Sequence, residues 1–571
     1  MIIMKKNIST KVLCLVIGAL PFSLFFLFPF SLSAQSWAKK AVNAVFTLKT
    51  FDANGTLLAS SNGVFVGENG EAVSSFTPFK GASRAVVIDA QGKEMPVECL
   101  IGANEMYDVA KFQVSGKKLT ALMLAATPAT NGATVWLLPY AVKKVPACIQ
   151  GTVSNAEKFQ GDYAYYTIAM TVDEQHMGCP ILNDDGEVIG LLQPSADASS
   201  ASSYAVSAPF ANDLRISGLS LNDPVLRSVA IAKALPDNLN EAILSLYIGS
   251  STMNAEEYGQ YIDRFIGKFP NVPDGYIYHA RNAVIHNDFA TADEDMKQAV
   301  RVADPKDDAH YQYAQLIYQK VVFQNDLPYE AWTLDRAMEE SEAAYRINPQ
   351  PVYRQQQAQI RYAQQKYEEA YMLYDELLKG NMHNAETFYA AAQCKSQLND
   401  QQASLALLDS AVCTFTKPYV KTAAPYLLAR AQALYDAGKY RPAVNDYNDY
   451  ESLMSTQIGA GFYFLREQAE FAGHLYQQAL DDIRKAVEME PAEYAYQVEK
   501  ANVELRVGMT DDALATAQLL IRLDDQQSEG YLLKGIAQCL KGNKQEGMEN
   551  LRKAKELGSS QAQMFIEKYG L

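Results

Sequence analysis

The stretch Gly178-Cys179-Pro180-Ile181-Leu182-Asn183-Asp184-Asp185-Gly186-Glu187-Val188-Ile189-Gly190 decides how the N-terminal half is read. An apolar run at 188–192 follows the turn Asp184-Asp185-Gly186, the pattern of a short strand behind a tight polar turn. The pattern extends outward on both sides. Residues 42–48, 64–66, 85–88, 109–114, 134–138 and 165–169 are apolar runs of strand length. Ala53-Asn54-Gly55, Glu68-Asn69-Gly70 and Gln91-Gly92 supply turns between them. Periodicity by itself supports an all-β unit; two antiparallel six-stranded barrels fit its length.

The 571 residues exceed what one core holds, and with 48% hydrophobic and 20% charged residues the chain buries its apolar surface in several units. Its 50 Lys and Arg stand against 66 Asp and Glu, a net charge of −16. That balance excludes nucleic acid and anionic membrane as the main partner, since both require a basic face. Lys5, Lys6 and Lys11 precede an apolar run at 12–30, which ends in Ser31-Leu32-Ser33-Ala34. Residues 1–34 therefore read as a signal peptide cut after Ala34, and the protein as exported to the periplasm or cell envelope. The run is long enough for an uncleaved membrane anchor as the alternative; Pro21 and Pro29 favour cleavage. Residues 35–222 carry 13 basic and 17 acidic side chains, so most of the negative charge lies further on. The cysteines outside the leader, Cys99, Cys148, Cys179, Cys394, Cys413 and Cys539, form no disulfide framework by spacing. No CxxC or His-rich spacing occurs, and neither a metal nor a small-molecule cofactor is expected.

Longer motifs sharpen the all-β reading. Ser61-Asn62-Gly63-Val64-Phe65-Val66, Asp89-Ala90-Gln91-Gly92-Lys93, Met106-Tyr107-Asp108-Val109-Ala110, the opening stretch and Ser203-Tyr204-Ala205-Val206-Ser207 follow one another in order. Together they resemble trypsin-like serine proteases of the HtrA type over about 170 residues. The resemblance implies a double barrel over 35–222, with the triad aspartate at Asp108. It places Thr77 where the family has its histidine and Met177 where it has its serine. Gln175 replaces a glycine of the oxyanion loop. Acyl transfer needs a nucleophile, a base within reach and donors aimed at the oxyanion. A threonine hydroxyl accepts no proton as imidazole does, and a thioether forms no acyl-enzyme. Of the six histidines only His176 falls in this half. A displaced Cys179–His176 pair is the remaining route to catalysis, and a packed thiol beside an exposed histidine is the plainer reading. The expectation is a pseudoprotease; an active but unorthodox Cys179 peptidase is the alternative. The serines at 195–203 are read as a surface loop within the barrel.

Residues 223–571 have another rhythm. Small residues recur at Ala292, Ala337, Ala370, Ser404, Ala443, Ala479, Ala513 and Gly547, at intervals clustered on 34. Tyr435-Asp436-Ala437-Gly438-Lys439-Tyr440-Arg441-Pro442-Ala443 and Gln364-Gln365-Lys366-Tyr367-Glu368-Glu369-Ala370 resemble tetratricopeptide repeats at the turn into their second helix. The reading is an all-α superhelix of eight or nine repeats, the ninth marked by Tyr258, with a longer loop at 321–328. In this family the residue eleven before each marker faces the concave groove. That implies Arg281, Gln359, Gln393, Gln432, Gln468 and Asn502, with Gln315 across the longer loop, as peptide-binding candidates. Such carboxamides suit an extended peptide backbone, and glutamine is equally a soluble helix former. The expected whole is a non-catalytic scaffold that recognises a protein or peptide, one with basic patches suiting the acidic array. Its alternatives are the Cys179 peptidase and an envelope-assembly component.

Overall fold

The computed structural model describes residues 37–194 and 201–570. The expected leader at 1–34 lies outside the described residues, as do 195–200 of the serine-rich stretch; Ser202 and Ser203 already open a strand.

Twelve strands form two closed antiparallel barrels. The first contains β1 (Val45–Phe51), β2 (Leu57–Phe65), β3 (Glu71–Ser74), β4 (Arg84–Ile88), β5 (Glu94–Asn104) and β6 (Val109–Val114), closing in the order β1-β2-β3-β6-β5-β4. The second contains β7 (Thr134–Leu137), β8 (Ile149–Phe159), β9 (Tyr163–Ala169), β10 (Pro180–Leu182), β11 (Val188–Gln193) and β12 (Ser202–Ser207), in the order β10-β11-β12-β9-β8-β7. Side-chain alternation explains the closure. Along β9, Ala164, Tyr166 and Ile168 point into the barrel core while their neighbours are more exposed, the period of two that a pleated strand imposes. The expected strand at 42–48 begins only at Val45, because Val42–Ala44 is a single 3-10 turn. Val42 and Ala44 are buried all the same, so apolarity there signalled burial rather than extension.

Each barrel has its own core: Phe46, Phe65, Phe76 and Phe112 in the first, Tyr166, Ile168, Cys179 and Ile181 in the second. A third cluster, with Val45, Val64 and Val109 from the first barrel and Leu182, Leu191 and Val206 from the second, glues the two together. After β12 the chain returns to the first barrel, where Leu226, Val229 and Ile231 complete its core. This compact unit extends through Phe265 and takes in the helix Leu239–Thr252.

The second unit begins at Ile266. Its described residues form helix pairs in a repeat-like arrangement. These are Pro273–Ile285 with Phe289–Val302, Asp307–Phe323 with Leu334–Ile347, Pro351–Ala363 with Tyr367–Lys379, and Ala385–Gln397 with Gln401–Cys413. Ala424–Asp436 with Tyr440–Met454, Ala460–Ala472 with Tyr476–Met489, Tyr494–Arg506 with Thr510–Leu523, and Ser528–Leu540 with Lys544–Glu556 follow, then Ala562–Gly570. All eight marker residues occupy the fourth position of a second helix, and all are buried. Close approach of paired helices requires it: a Cβ on Gly547 would lie 2.4 Å from the Cys539 sulfur. The wide interval between Ala292 and Ala337 arises because Asp307–Phe323 runs past the expected loop start and the connection occupies 324–333. That connection is anchored. Buried Asp293 accepts hydrogen bonds from Trp332 Nε1 at 2.8 Å, from Tyr329 at 3.1 Å and from Tyr313, and pairs with Lys297.

Glu467 and Glu470, on Ala460–Ala472, are almost inaccessible, and Glu467 has no hydrogen bond to either oxygen. Burial, helped by Glu499, Glu470 and Asp482, pushes Glu467 up to about 8. Burial and Asp482 push Glu470 to about 8 as well, against the pull of Arg466 and Lys485. Between the ordinary value of 4.5 and about 8 the folded array therefore holds protons that the unfolded chain releases, so its stability falls as pH rises through that window. Thermal melting of the full chain, followed by helical circular dichroism, is expected to show Glu467→Gln melting above the wild type near pH 8.5. The gap should close by about 4 °C toward pH 5.5. A gap independent of pH would contradict this account.

Candidate functional site

The residues at the expected catalytic positions come from both barrels. Asp108 stands at the entrance of β6 with φ of 53°, a left-handed conformation that a non-glycine residue adopts at a cost. Its backbone carbonyl accepts the Phe76 N–H at 3.3 Å, and its Oδ1 accepts the Thr77 N–H at 2.6 Å. Asp108 thus clamps the single turn Thr77–Phe79, which β3 feeds and Pro78 rigidifies. Thr77 itself is exposed.

In the second barrel, the turn Glu174–His176 leads into Met177. The Met177 N–H donates to the Glu174 carbonyl at 3.1 Å, so this donor is engaged within its own turn. The Met177 carbonyl accepts the Asn62 N–H at 3.0 Å and Asn62 Nδ2 at 3.0 Å; the same Nδ2 donates to the Gln175 carbonyl at 2.8 Å. Asn62 on β2 therefore pins the second barrel's loop to the first. Met177 itself is half-buried against the second barrel's core, and the Gln175 side chain is exposed. Gly178, at φ of 76°, passes close under β2: a Cβ there would sit 2.2 Å from the Asn62 carbonyl oxygen.

Cys179 and His176 stand apart in character. Cys179 is fully buried in the second barrel's core, and burial pushes its thiol up to about 12. Nucleophilic thiolate is scarce under those conditions. The hydrogen bond joining the two residues is backbone to backbone, Cys179 N–H to His176 carbonyl at 3.0 Å. His176 Nδ1 is buried without a partner.

In the helical unit, Gln315 and Gln359 line one cavity of about 350 Å³ built from three successive first helices. Tyr311, Tyr318 and Phe323 supply its aromatic wall and Glu386 a carboxylate. Gln356 lines it too: its Nε2 donates to the Tyr311 carbonyl at 3.0 Å, while its buried Oε1 lacks a donor. Arg281 reaches the next first helix, donating to Gln312 Oε1 at 2.6 Å. Gln393 is exposed and Gln468 half-buried. Gln432 donates to Asp436 at 2.9 Å, and Asn502 bonds Glu499 at 3.4 Å, so these two amides are engaged within their own helices. Of the seven candidates the structure brings Gln315 and Gln359 to one cavity, with Gln356 beside them, while Arg281, Gln432 and Asn502 are hydrogen-bonded to neighbouring side chains.

Sequence reasoning missed two ion pairs. Arg430 grips Asp446 through Nε and Nη2 at 2.7 and 2.8 Å, and Arg466 grips Asp482 likewise at 2.6 and 3.0 Å. Both arginines precede their aspartates by 16 residues, a repeated spacing that a search keyed on small residues passes over. Among the described residues no cluster of three or more His, Cys, Asp or Glu is placed to hold a metal, and no helix is long and apolar enough to cross a membrane.

No curated protein matches the chain. A family model for the trypsin-like peptidase domain matches residues 61–191, from within β2 to within β11 and across both barrels. With that match and the paired six-stranded barrels, the N-terminal unit carries a trypsin-like peptidase domain, followed by a repeat-like helical region.

Proposed function

We propose that this protein is an exported, non-catalytic scaffold, a pseudoprotease barrel joined to a tetratricopeptide superhelix that recognises a protein or peptide partner. The observation that carries the reading is the pair of groups at the cleft. Thr77 beside Asp108 brings no proton-accepting nitrogen, and Met177 brings a thioether whose backbone N–H is already bonded to Glu174. The tetratricopeptide assignment draws its support from the eight small residues, each fourth in a second helix and buried. Recognition draws its support from the cavity around Gln315, Gln356 and Gln359, where a buried carboxamide oxygen lacks the N–H that a bound peptide backbone supplies. The acidity of the chain favours a partner with basic patches. Export rests on the leader-like residues 1–34, and a cell-envelope complex is the setting this implies.

The mature protein is expected to leave unfolded casein intact and to escape labelling by fluorophosphonate and thiol-directed activity probes. Casein cleavage that disappears on Cys179→Ala would replace this reading with the Cys179 peptidase.

A further inference from the structure

The stretch that returns to the first barrel after β12 builds a cavity of about 550 Å³. Its backbone lies along β5: the Leu100 N–H donates to the Ala232 carbonyl and the Ala234 N–H to the Leu100 carbonyl, both at 2.8 Å. The Ala230 N–H donates to the Ala82 carbonyl at 2.8 Å, which fixes the segment against the turn leading into β4 as well. Leu226, Val229 and Ile231 sink into the barrel core, so the cavity floor is rigid. The walls come from β4, β5 and the helices on either side of Asn254.

The charge here runs against the rest of the protein. Arg84, Arg227, Lys233 and Arg264 line the cavity, opposed by Glu98 and Glu257, in a chain of net charge −16. Among the described residues none of the four cations forms an ion pair. Arg84 is held over the Phe51 ring at 4.1 Å, and Arg264 reaches the Lys233 carbonyl at 3.5 Å. Lys233 is half-buried and donates to the Val229 carbonyl. Burial pulls its ammonium down to about 8, Glu257 opposing from the same wall without reaching ion-pair contact. Three guanidinium forks and an ammonium around one hollow match oxyanions with paired acceptor oxygens. The volume lies in the range of small-molecule sites and exceeds what a single inorganic ion fills.

We propose that this cavity on the trypsin-like domain is a binding site for a small, multiply charged oxyanion, held by Arg84, Arg227, Lys233 and Arg264. It is distinct from the cleft between the barrels, and it stands or falls independently of the helical groove. The bound anion adds to Glu257 the direct counter-charge contact that Lys233 does not have, and holds the returning segment, strand and helices together.

Calorimetric titration of the mature full-length protein with inorganic pyrophosphate in low-salt buffer tests this. One site per chain is expected, weakened about tenfold or more in Arg227→Gln/Arg264→Gln, with Lys80→Gln, an exposed lysine outside the cavity, unchanged. The arginines are exposed, so their replacement leaves the fold intact, which circular dichroism checks. Citrate in a parallel arm separates sources: equal binding makes the ligand a polycarboxylate or polyphosphate alike, and preference for pyrophosphate makes it phosphoryl-bearing, both within the proposal. No saturable heat up to about 5 mM pyrophosphate or citrate, or binding untouched by the double variant, overturns it.

Discussion

Arg466→Ala is expected to destabilise the helical array by about 3–5 kcal/mol, the cost of breaking a buried ion pair on one side. The side chain is 5% exposed and serves four partners. It holds both Asp482 oxygens, donates to Glu451 at 2.5 Å and Asn448 at 2.8 Å, and lies 3.8 Å from Glu470. Removing it leaves the Asp482 carboxylate buried and half-exposed Glu451 unpaired, with Lys485 as the nearby cation, 3.2 Å from Asp482. Melting of the helical signal should fall by about 10 °C. The diagnostic companion is Arg466→Met with Asp482→Leu, which removes charge from both sides and should recover much of the loss. Arg466→Ala melting within about 2 °C of the wild type would refute the account.

Gly178→Ala should do comparable damage to the double barrel. A methyl group there meets the Asn62 carbonyl at 2.2 Å and the Ser61 hydroxyl at 2.6 Å, and alanine disfavours φ of 76°. Relief requires the 174–178 loop to withdraw from β2, losing the Asn62 hydrogen bonds that join the barrels. Overpacking and left-handed strain together amount to about 2–5 kcal/mol. Hydrogen exchange of peptides covering β2 and β10 should accelerate while the helical unit stays protected. Unchanged protection at β2 would show that the loop absorbs the methyl group.

Fold legibility followed from how local each signal is. The turn Asp184-Asp185-Gly186 fixes a reversal by itself, and it stands where expected, between β10 and β11, with Trp136 Nε1 bonded to Asp184 at 2.8 Å. The small residues were legible because helix nesting tolerates nothing larger at those positions. The return of residues 226–231 to the first barrel was not legible: three apolar residues in a short helical turn and the strand-less segment after it say nothing about which distant core they enter. The site was read in part. The resemblance put Thr77, Asp108 and Met177 at the catalytic positions, and in the structure the Asp108 carboxylate accepts the Thr77 N–H. Whether a glutamine is available to a ligand depends on its own neighbours, and so Gln432 is engaged by Asp436 while Gln359 faces a cavity. Gln356, one turn from Gln359, went unnoticed because burial of a single oxygen leaves no trace in a residue pattern.

The matched pairs Arg430–Asp446 and Arg466–Asp482 have a consequence for how the array changes length. Because both clasps use the same 16-residue reach, excising the block from one arginine to the next leaves Arg430 facing Asp482 at the original spacing. The buried charges then stay balanced through the cut. Removal of that whole block keeps one arginine for each buried aspartate, which the loss of Arg466 alone does not.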